Sequence, residues 1–283
     1  MSNQIKISFP DSSVKKYKSG ISSLEIAKSI SNSLAKKILV ASFNDVHIDL
    51  STELTENGSI KFFTWDDIEG KKTFWHSSAH LLAEAVESLY PGVKFGIGPP
   101  IDNGFYYDID FMEYDSSEIN TSKIEKKFID LCSKNLSFER KKISKKEALK
   151  YFKDKGDQYK LELLEDLDDG KITFYNQGNF TDLCKGPHVP SSKFIKSIKI
   201  LNVAGAYWKG DEKNKQLTRL YAISFPKQEL LDDYMLKLEE AKKRDHRKIG
   251  KELELFLFSE KVGQGLPIWL PNGHIVREKL IDF

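Results

Sequence analysis

Residues 5–9 alternate: apolar Ile5, Ile7 and Phe9 are separated by polar Lys6 and Ser8. That period of two predicts a half-buried strand. Pro10-Asp11-Ser12-Ser13 is turn-forming, so residues 14–18 are expected to return as a hairpin partner. Ser22 and Glu25 have capping-box spacing and predict a helix carrying Leu24, Ala27 and Ile30. Residues 38–43, 47–50 and 59–64 supply further strands, with Asn44-Asp45 as a turn. A hairpin, a helix and more strands is a β-grasp-like order, assigned to residues 1–64. This region holds no catalytic constellation, and His47 reads as a surface strand residue.

The pattern changes near Trp65. After the polar run 66–72 comes a helix expected over 76–90 and stopped by Pro91-Gly92. At 100° per residue, Leu81, Leu82, Ala85, Val86 and Leu89 share one face. His76 and His80 fall opposite it, in a row with Glu84 and Glu87. Residues 95–104 hold Gly96, Gly98, Pro99, Pro100 and the turn pair Asn103-Gly104, so their backbone is irregular. Residues 105–111 alternate as a strand, which sends Tyr106 and Tyr107 to opposite faces. Residues 115–170 read as mainly helical, with Ile124, Phe128 and Leu131 at helical spacing and a capping box at Ser144 and Glu147. Cys132 reads as a small buried hydrophobe, and Lys160 sits among apolar neighbours. Strands are expected at 171–175, 180–184, 195–203, 206–209 and 217–224, which makes this region α+β.

Residues 226–250 predict one long helix with Leu231, Tyr234, Met235, Leu238 and Ala241 as its apolar stripe. Its basic end, 242–248, suits the helix dipole or an RNA backbone. Strand material at 253–258 and 268–270 and a helix at 274–283 then begin a new element that lacks residues to close a core. Gly263 and Gly265 make no phosphate-binding loop, since no Gly-Lys-Ser/Thr follows.

Composition narrows the class. Forty per cent apolar and 30% charged residues give an ordinary globular profile, and no run approaches the roughly 18 apolar residues of a membrane span. The first residues lack a signal-peptide core, and two separated cysteines make no disulfide framework, so a cytoplasmic location is expected. A net charge of +2 does not by itself point to nucleic acid.

Three of six histidines and one of two cysteines fall in two groups, His76-Ser-Ser-Ala-His80 and Cys184-Lys-Gly-Pro-His188. Imidazoles at i and i+4 of a helix converge on one point, and a Cys and a His across a Gly-Pro turn do the same. One reading is a zinc site built from His76, His80, Cys184 and His188. A protease-type zinc helix is excluded, because Ser77 stands where its Glu is needed. The other reading is acid–base and positioning chemistry in water-mediated hydrolysis. Asp182, two residues before Cys184, shares its face on a strand and can orient a water or bind an ammonium group. Nothing in the sequence activates Cys184 as a nucleophile.

Three further stretches, Gly98-Pro-Pro-Ile-Asp-Asn-Gly-Phe-Tyr-Tyr-Asp108, Ala204-Gly-Ala-Tyr-Trp-Lys-Gly-Asp211 and Arg244-Asp-His-Arg-Lys-Ile-Gly250, accompany these groups, and the second group extends to Asp182-Leu-Cys-Lys-Gly-Pro-His-Val-Pro190. With His76-Ser-Ser-Ala-His80-Leu-Leu, the whole chain resembles the N-terminal half of bacterial-type threonyl-tRNA synthetases. The resemblance implies a TGS domain at 1–64, an editing domain at 65–225, a linker helix at 226–250 and the start of a class II catalytic domain at 251–283. It implies hydrolysis of serine wrongly esterified to tRNA(Thr), with tRNA(Thr) as partner. His76, His80, Cys184 and His188 would line the pocket. Lys160, Asp182, Tyr107 and Gly98 would hold the substrate or the attacking water. The family's editing site is expected to need no cofactor; ATP, catalytic zinc and most of the dimer contact belong to the synthetic core beyond the linker. Two alternatives stand beside this: a zinc-dependent alanyl-type editing hydrolase, which shares the HxxxH and CxxxH groups, and a non-catalytic RNA-binding module.

Overall fold

The computed structural model describes residues 4–263 and 265–283. Two expectations touch residues outside these: the absent signal core, in part, and the 263–265 loop at Gln264. The chain forms two units, residues 1–228 and 229–283. Among the described residues no helix is long and apolar enough to cross a membrane.

The first unit begins with β1 (Gln4–Ser8) and β2 (Val14–Lys18), the expected hairpin. β3 (Ile21–Ser22) leads into α1 (Ser23–Ile30), which starts at the expected capping box of Ser22 and Glu25. α2 (Asn32–Lys37), β4 (Val40–Phe43), β5 (Val46–Ile48), β6 (Glu53–Leu54) and β7 (Gly58–Phe63) follow. The sheet order is β2-β1-β7-β4-β5, with β1 and β7 parallel, while β3 pairs with β6. Ile5, Ile7, Ile26, Ala27, Ile38, Ala41, Leu50 and Ile60 form the core between sheet and helices. His47 is exposed in β5, as expected.

α3 (Ile68–Leu89) is the spine of the larger part. Its 22 residues extend two turns upstream of the expected start, a length of about 33 Å. The polar run 66–72 hid those turns. Asp67 folds back to accept the Thr64 N–H (2.7 Å) and hydroxyl (3.1 Å). Gly70 passes so close to Thr64 that a Cβ would lie 1.8 Å from its carbonyl oxygen, so no larger residue fits this start. From Gly70 to Val86 the helix is buried nearly all round.

β8 (Lys94–Phe95), β9 (Pro100–Ile101), β10 (Gly104–Asp110), α4 (Thr121–Ser133), β11 (Glu139–Lys142), α5 (Lys145–Asp154), α6 (Gln158–Glu165), β12 (Thr173–Gln177), β13 (Phe180–Leu183), β14 (Ser197–Tyr207) and β15 (Gln216–Phe225) complete the unit. One antiparallel sheet runs β14-β15-β10-β8, with β9 on β10; a second runs β11-β12-β13. The capping box of Ser144 and Glu147 starts α5, as expected. Region 115–170 is less helical than expected, because Glu139-Arg-Lys-Lys142 is a strand. Its four exposed residues carry no apolar alternation to reveal it, and the charges suit the edge of a sheet. The strands expected at 195–203 and 206–209 are one strand, β14, which keeps its pairing through an irregularity at Ile200/Asn202.

The second unit holds α7 (from Gln228 to Lys243), α8 (His246–Glu252), an antiparallel pair of β16 (Phe256–Phe258) and β17 (Pro267–Trp269), and α9 (Pro271–Ile281). The single helix expected at 226–250 is therefore two. Asp245 leaves helical geometry and caps α8, its Oδ1 accepting the Arg247 N–H at 2.8 Å.

Candidate functional site

The site lies where α3 meets β13 and the loop 184–188. One side of α3 is fastened to β15: the Trp75 indole donates to the Ser224 carbonyl (3.0 Å), and Ser78 meets the Ser224 hydroxyl (2.7 Å). The other side, with Ser77, His80 and Glu84, faces β13 and the loop. Ser77 Oγ accepts the Val189 N–H (3.0 Å), and Glu84 Oε1 accepts the Asn179 N–H (3.2 Å). These tethers draw His76 and His80 together with Cys184 and His188. The four ligand-type atoms all lie within 4.8 Å of one another. Cys184 Sγ stands 3.2 Å from His76 Nε2 and 3.3 Å from His188 Nε2.

The hydrogen bonds fix one tautomer. The single Ser77 hydroxyl proton goes to the Thr73 carbonyl (2.8 Å), so at 3.0 Å His188 Nδ1 must be the donor to Ser77 Oγ. An unprotonated Nε2 then faces the Cys184 sulfur. Burial keeps the rings neutral: His80 and His188 are 3% and 1% exposed. Burial lowers His80 to about 3, against the opposing pull of Asp182. His188 falls well below its ordinary value through burial and the two neighbouring histidines. His76, more open to solvent than these two, is lowered by burial to about 4, with the Pro187 carbonyl and Asp182 acting against the shift. Burial pushes the Cys184 thiol up to about 12. The cluster is thus three neutral imidazoles and a neutral thiol.

Beside it is a buried ion pair. Lys160 Nζ lies 2.6 Å from Asp182 Oδ1, with both side chains nearly free of solvent. Lys160 is in the first turn of α6, whose Asp157 cap accepts the Lys160 N–H at 3.2 Å. The alternation of β13 buries Phe180 and Asp182 and leaves Thr181 and Leu183 half-buried. The Tyr107 hydroxyl donates to Asp182 Oδ2 at 2.5 Å, and the Leu183 N–H to Oδ1 at 2.8 Å. Burial alone would raise the Asp182 carboxyl; the Lys160 charge, His80 and these bonds outweigh it, so the group is held below its ordinary value. His80 Nε2 lies 3.9 Å from Asp182 Oδ2 and links the pair to the cluster.

Tyr107 is buried while Tyr106 packs under the Arg219 guanidinium, so only one of the two reaches the site, as the alternation of β10 requires. Gly98 lies against Tyr107: a Cβ there would meet the ring at 2.4 Å. A cavity of about 210 Å³ is lined by Lys160, Asp182, Asp157, Phe95, Phe152 and Phe180, and another of about 270 Å³ takes in Cys184, Lys185 and Thr173. All eight residues singled out from sequence therefore lie at one locus or against a member of it. Cys132, by contrast, is buried in α4, and burial raises its thiol to about 12.

Sequence reasoning missed several residues. Phe138 stacks on His188 with centroids 5.0 Å apart and planes 5° from parallel. Tyr175 meets the same ring at 4.4 Å. Asp49, from the β-grasp part, accepts the Tyr175 hydroxyl (2.6 Å) and the His188 N–H (2.8 Å). Ser77 had a signal, its place within His76–His80; Asp49 had none.

The β12–β15 region carries the signature of the threonyl and alanyl tRNA synthetase second additional domain, which matches residues 172–221, and a TGS domain matches residues 5–64. The first match includes Asp182, Cys184 and His188. Among curated proteins the chain is similar to the threonine–tRNA ligases of Cytophaga hutchinsonii (59% identical over 279 residues), Parabacteroides distasonis (55% over 279) and Porphyromonas gingivalis (57% over 280). Each alignment takes in 99% of this chain and 43% of the relative. The chain thus carries a TGS domain and a threonyl and alanyl tRNA synthetase second additional domain; it corresponds to the N-terminal part of these threonine–tRNA ligases and spans less than half their length.

Proposed function

We propose that the first unit is an editing hydrolase that cleaves the ester of serine wrongly attached to tRNA(Thr). The observation that carries this reading is the convergence of three neutral imidazoles and a thiol on a buried Lys160–Asp182 pair. The reaction adds water to the ester carbonyl, and the departing ribose oxygen takes up a proton, giving free serine and tRNA. Asp182 is the ionised acceptor nearest the cluster. His80, 3.9 Å from it, can pass a proton between water and that carboxylate. Lys160 supplies the fixed positive charge that balances an oxyanion, and Tyr107 orients Asp182. A thiol held at about 12 is a poor nucleophile, so Cys184 shapes the pocket and water attacks directly. A second site is needed because serine differs from threonine by one methyl, which yields only about 1–3 kcal/mol of discrimination in a synthetic site.

The donor set of His76, His80, Cys184 and His188 also fits zinc, which when bound acts as a Lewis acid and acidifies a bound water. Four protein ligands fill a tetrahedral ion and leave no open position, whereas hydrolytic zinc keeps one. The metal-free site is therefore the reading we favour.

The same reading divides the chain into a TGS domain at 1–64, an editing domain at 65–225, a linker at 226–250 and the lead-in to a class II core at 251–283. Support for the last comes from the apolar side chains that the second unit leaves exposed, such as Phe258, Trp269 and Leu280. Charging of tRNA, ATP use and dimerisation in the cytoplasm would belong to the larger protein. Single-turnover deacylation of seryl-tRNA(Thr) by the wild type, His80→Ala and Asp182→Asn tests the roles. A loss of at least about a hundredfold in each variant is expected. Rates in all three proteins no faster than spontaneous hydrolysis of the ester would return the chain to a non-catalytic RNA-binding module, and variants as fast as an active wild type would remove both residues from the mechanism.

A further inference from the structure

Asp49 carries the β-grasp domain into the site. It follows β5 and is only 9% exposed, and both carboxylate oxygens are spent on the other domain. Oδ1 accepts the His188 N–H at 2.8 Å, 139 residues away in sequence; Oδ2 accepts the Tyr175 hydroxyl at 2.6 Å. Those two partners also touch each other, ring against ring at 4.4 Å.

The loop between Cys184 and His188 is also tied at Cys184, whose N–H donates to the Thr173 carbonyl (3.1 Å), and at Pro187, whose backbone bonds His76; the course of Gly186 between them is set by Tyr175. Gly186 has φ +71° and passes so near Tyr175 that a Cβ would lie 1.9 Å from the hydroxyl oxygen. The position of that hydroxyl, set by Asp49, thus decides where Gly186 can run. Cys184 Sγ accepts the Gly186 N–H at 3.2 Å, so the sulfur follows the same path. At the far end, His188 is held by Asp49 through its backbone, by Ser77 at Nδ1 and by the stacked Phe138 ring. Removing Asp49 leaves a buried N–H without an acceptor and frees the Tyr175 hydroxyl. The loop must then shift to recover a partner, carrying His188 Nε2 away from its 3.3 Å contact with Cys184.

We infer that Asp49 is a positioning residue of the editing site, so that seating of the TGS domain is required for hydrolysis. This rests on the hydrolase reading above. Asp49 has no bond to a ring nitrogen or to the sulfur among the described contacts; it acts through the His188 backbone and the Tyr175 hydroxyl.

The test uses the full 283-residue chain, with enzyme in excess over seryl-tRNA(Thr). Asp49→Ala is expected to lower the saturated single-turnover rate constant about tenfold or more, while the half-saturating enzyme concentration stays within about twofold. Asp49→Asn is expected to recover most of the rate, because its amide oxygen still accepts the His188 N–H and its NH₂ can donate to Tyr175. Tyr175→Phe removes one of the two bonds without altering the TGS domain, which keeps the test informative should Asp49→Ala fold poorly. Because both residues act on one loop, the double variant is expected to be no more than about twofold slower than Asp49→Ala alone. An unchanged rate constant in Asp49→Ala, an Asp49→Asn as slow as the alanine variant, or two effects that simply multiply would each overturn the inference. A wild type without deacylase activity would instead refute the hydrolase reading. The anchor is then read by hydrogen exchange at the His188 amide, which must accelerate in Asp49→Ala; equal protection in both proteins overturns the inference as well.

Discussion

Replacing Lys160 with Met removes one charge of a pair that is almost completely closed to water. The Nζ–Oδ1 distance is 2.6 Å, and the two side chains are 3% and 4% exposed. Breaking a buried pair from one side costs about 3–5 kcal/mol, because the remaining charge stays buried. Asp182 would keep the Tyr107 hydroxyl at 2.5 Å and the Leu183 N–H at 2.8 Å, which argues for the lower end, about 3 kcal/mol. For a unit of 228 residues that is a fall in Tm of about 6–12 °C. Urea unfolding followed by tryptophan fluorescence gives the same quantity as a midpoint change at constant slope. Two controls sharpen it. Lys160→Met with Asp182→Asn removes both charges and is expected to recover more than half of the loss. The deficit of the single variant should also shrink with acid. Without Lys160, burial raises the Asp182 carboxyl instead of leaving it low. A raised carboxyl weakens the fold above its ordinary range, and the penalty disappears as falling pH protonates it. A deficit below about 1 kcal/mol, the range of solvated pairs, would refute the claim that this charge pair is built into the interior.

The neutral histidines make stability depend on pH in a definite direction. His80 and His188 stay unprotonated in the fold, while the unfolded chain takes up protons below about 6.5, so stability is lost as pH falls from there toward the lowered folded values. Each contributes a slope of about 1.4 kcal/mol per pH unit, and His80→Gln should remove one such contribution; equal slopes in the two proteins would contradict the burial of His80. Zinc gives a separate test. Exhaustive chelation is expected to leave deacylation intact, and one equivalent of added zinc to inhibit by occupying His76, His80, Cys184 and His188. Stoichiometric metal whose removal abolishes activity would move the chemistry onto the ion.

What the sequence revealed and what it concealed separate along physical lines. Local rules worked where a local cause dominates. Alternation of Ile5 and Ile7 marked β1, and the Ser22/Glu25 and Ser144/Glu147 boxes marked two helix starts. The helical period placed His76 and His80 away from the apolar stripe, and that row is the one covered by β13 and the loop. It did not show that this row is buried too, since His80 and Glu84 read as polar until a second element closes over them. Glu139–Lys142 has no pattern of its own and is a strand because β12 lies beside it. The break at Asp245 needed one side-chain bond to defeat an otherwise continuous helical stripe. The site residues were legible because HxxxH and CxxxH spacing is itself chemistry. Asp49 was not, because a carboxylate after a short strand becomes significant only when Tyr175 and His188 arrive from another domain.

The proposed editing site hydrolyses one aminoacyl ester and spares its close relative. The direct measurement is deacylation of seryl-tRNA(Thr) and threonyl-tRNA(Thr), run side by side with the purified chain. Rapid loss of the serine ester and survival of the threonine ester are expected. Survival of both at enzyme concentrations near that of the tRNA, or loss of both at equal rates, would contradict the proposed specificity.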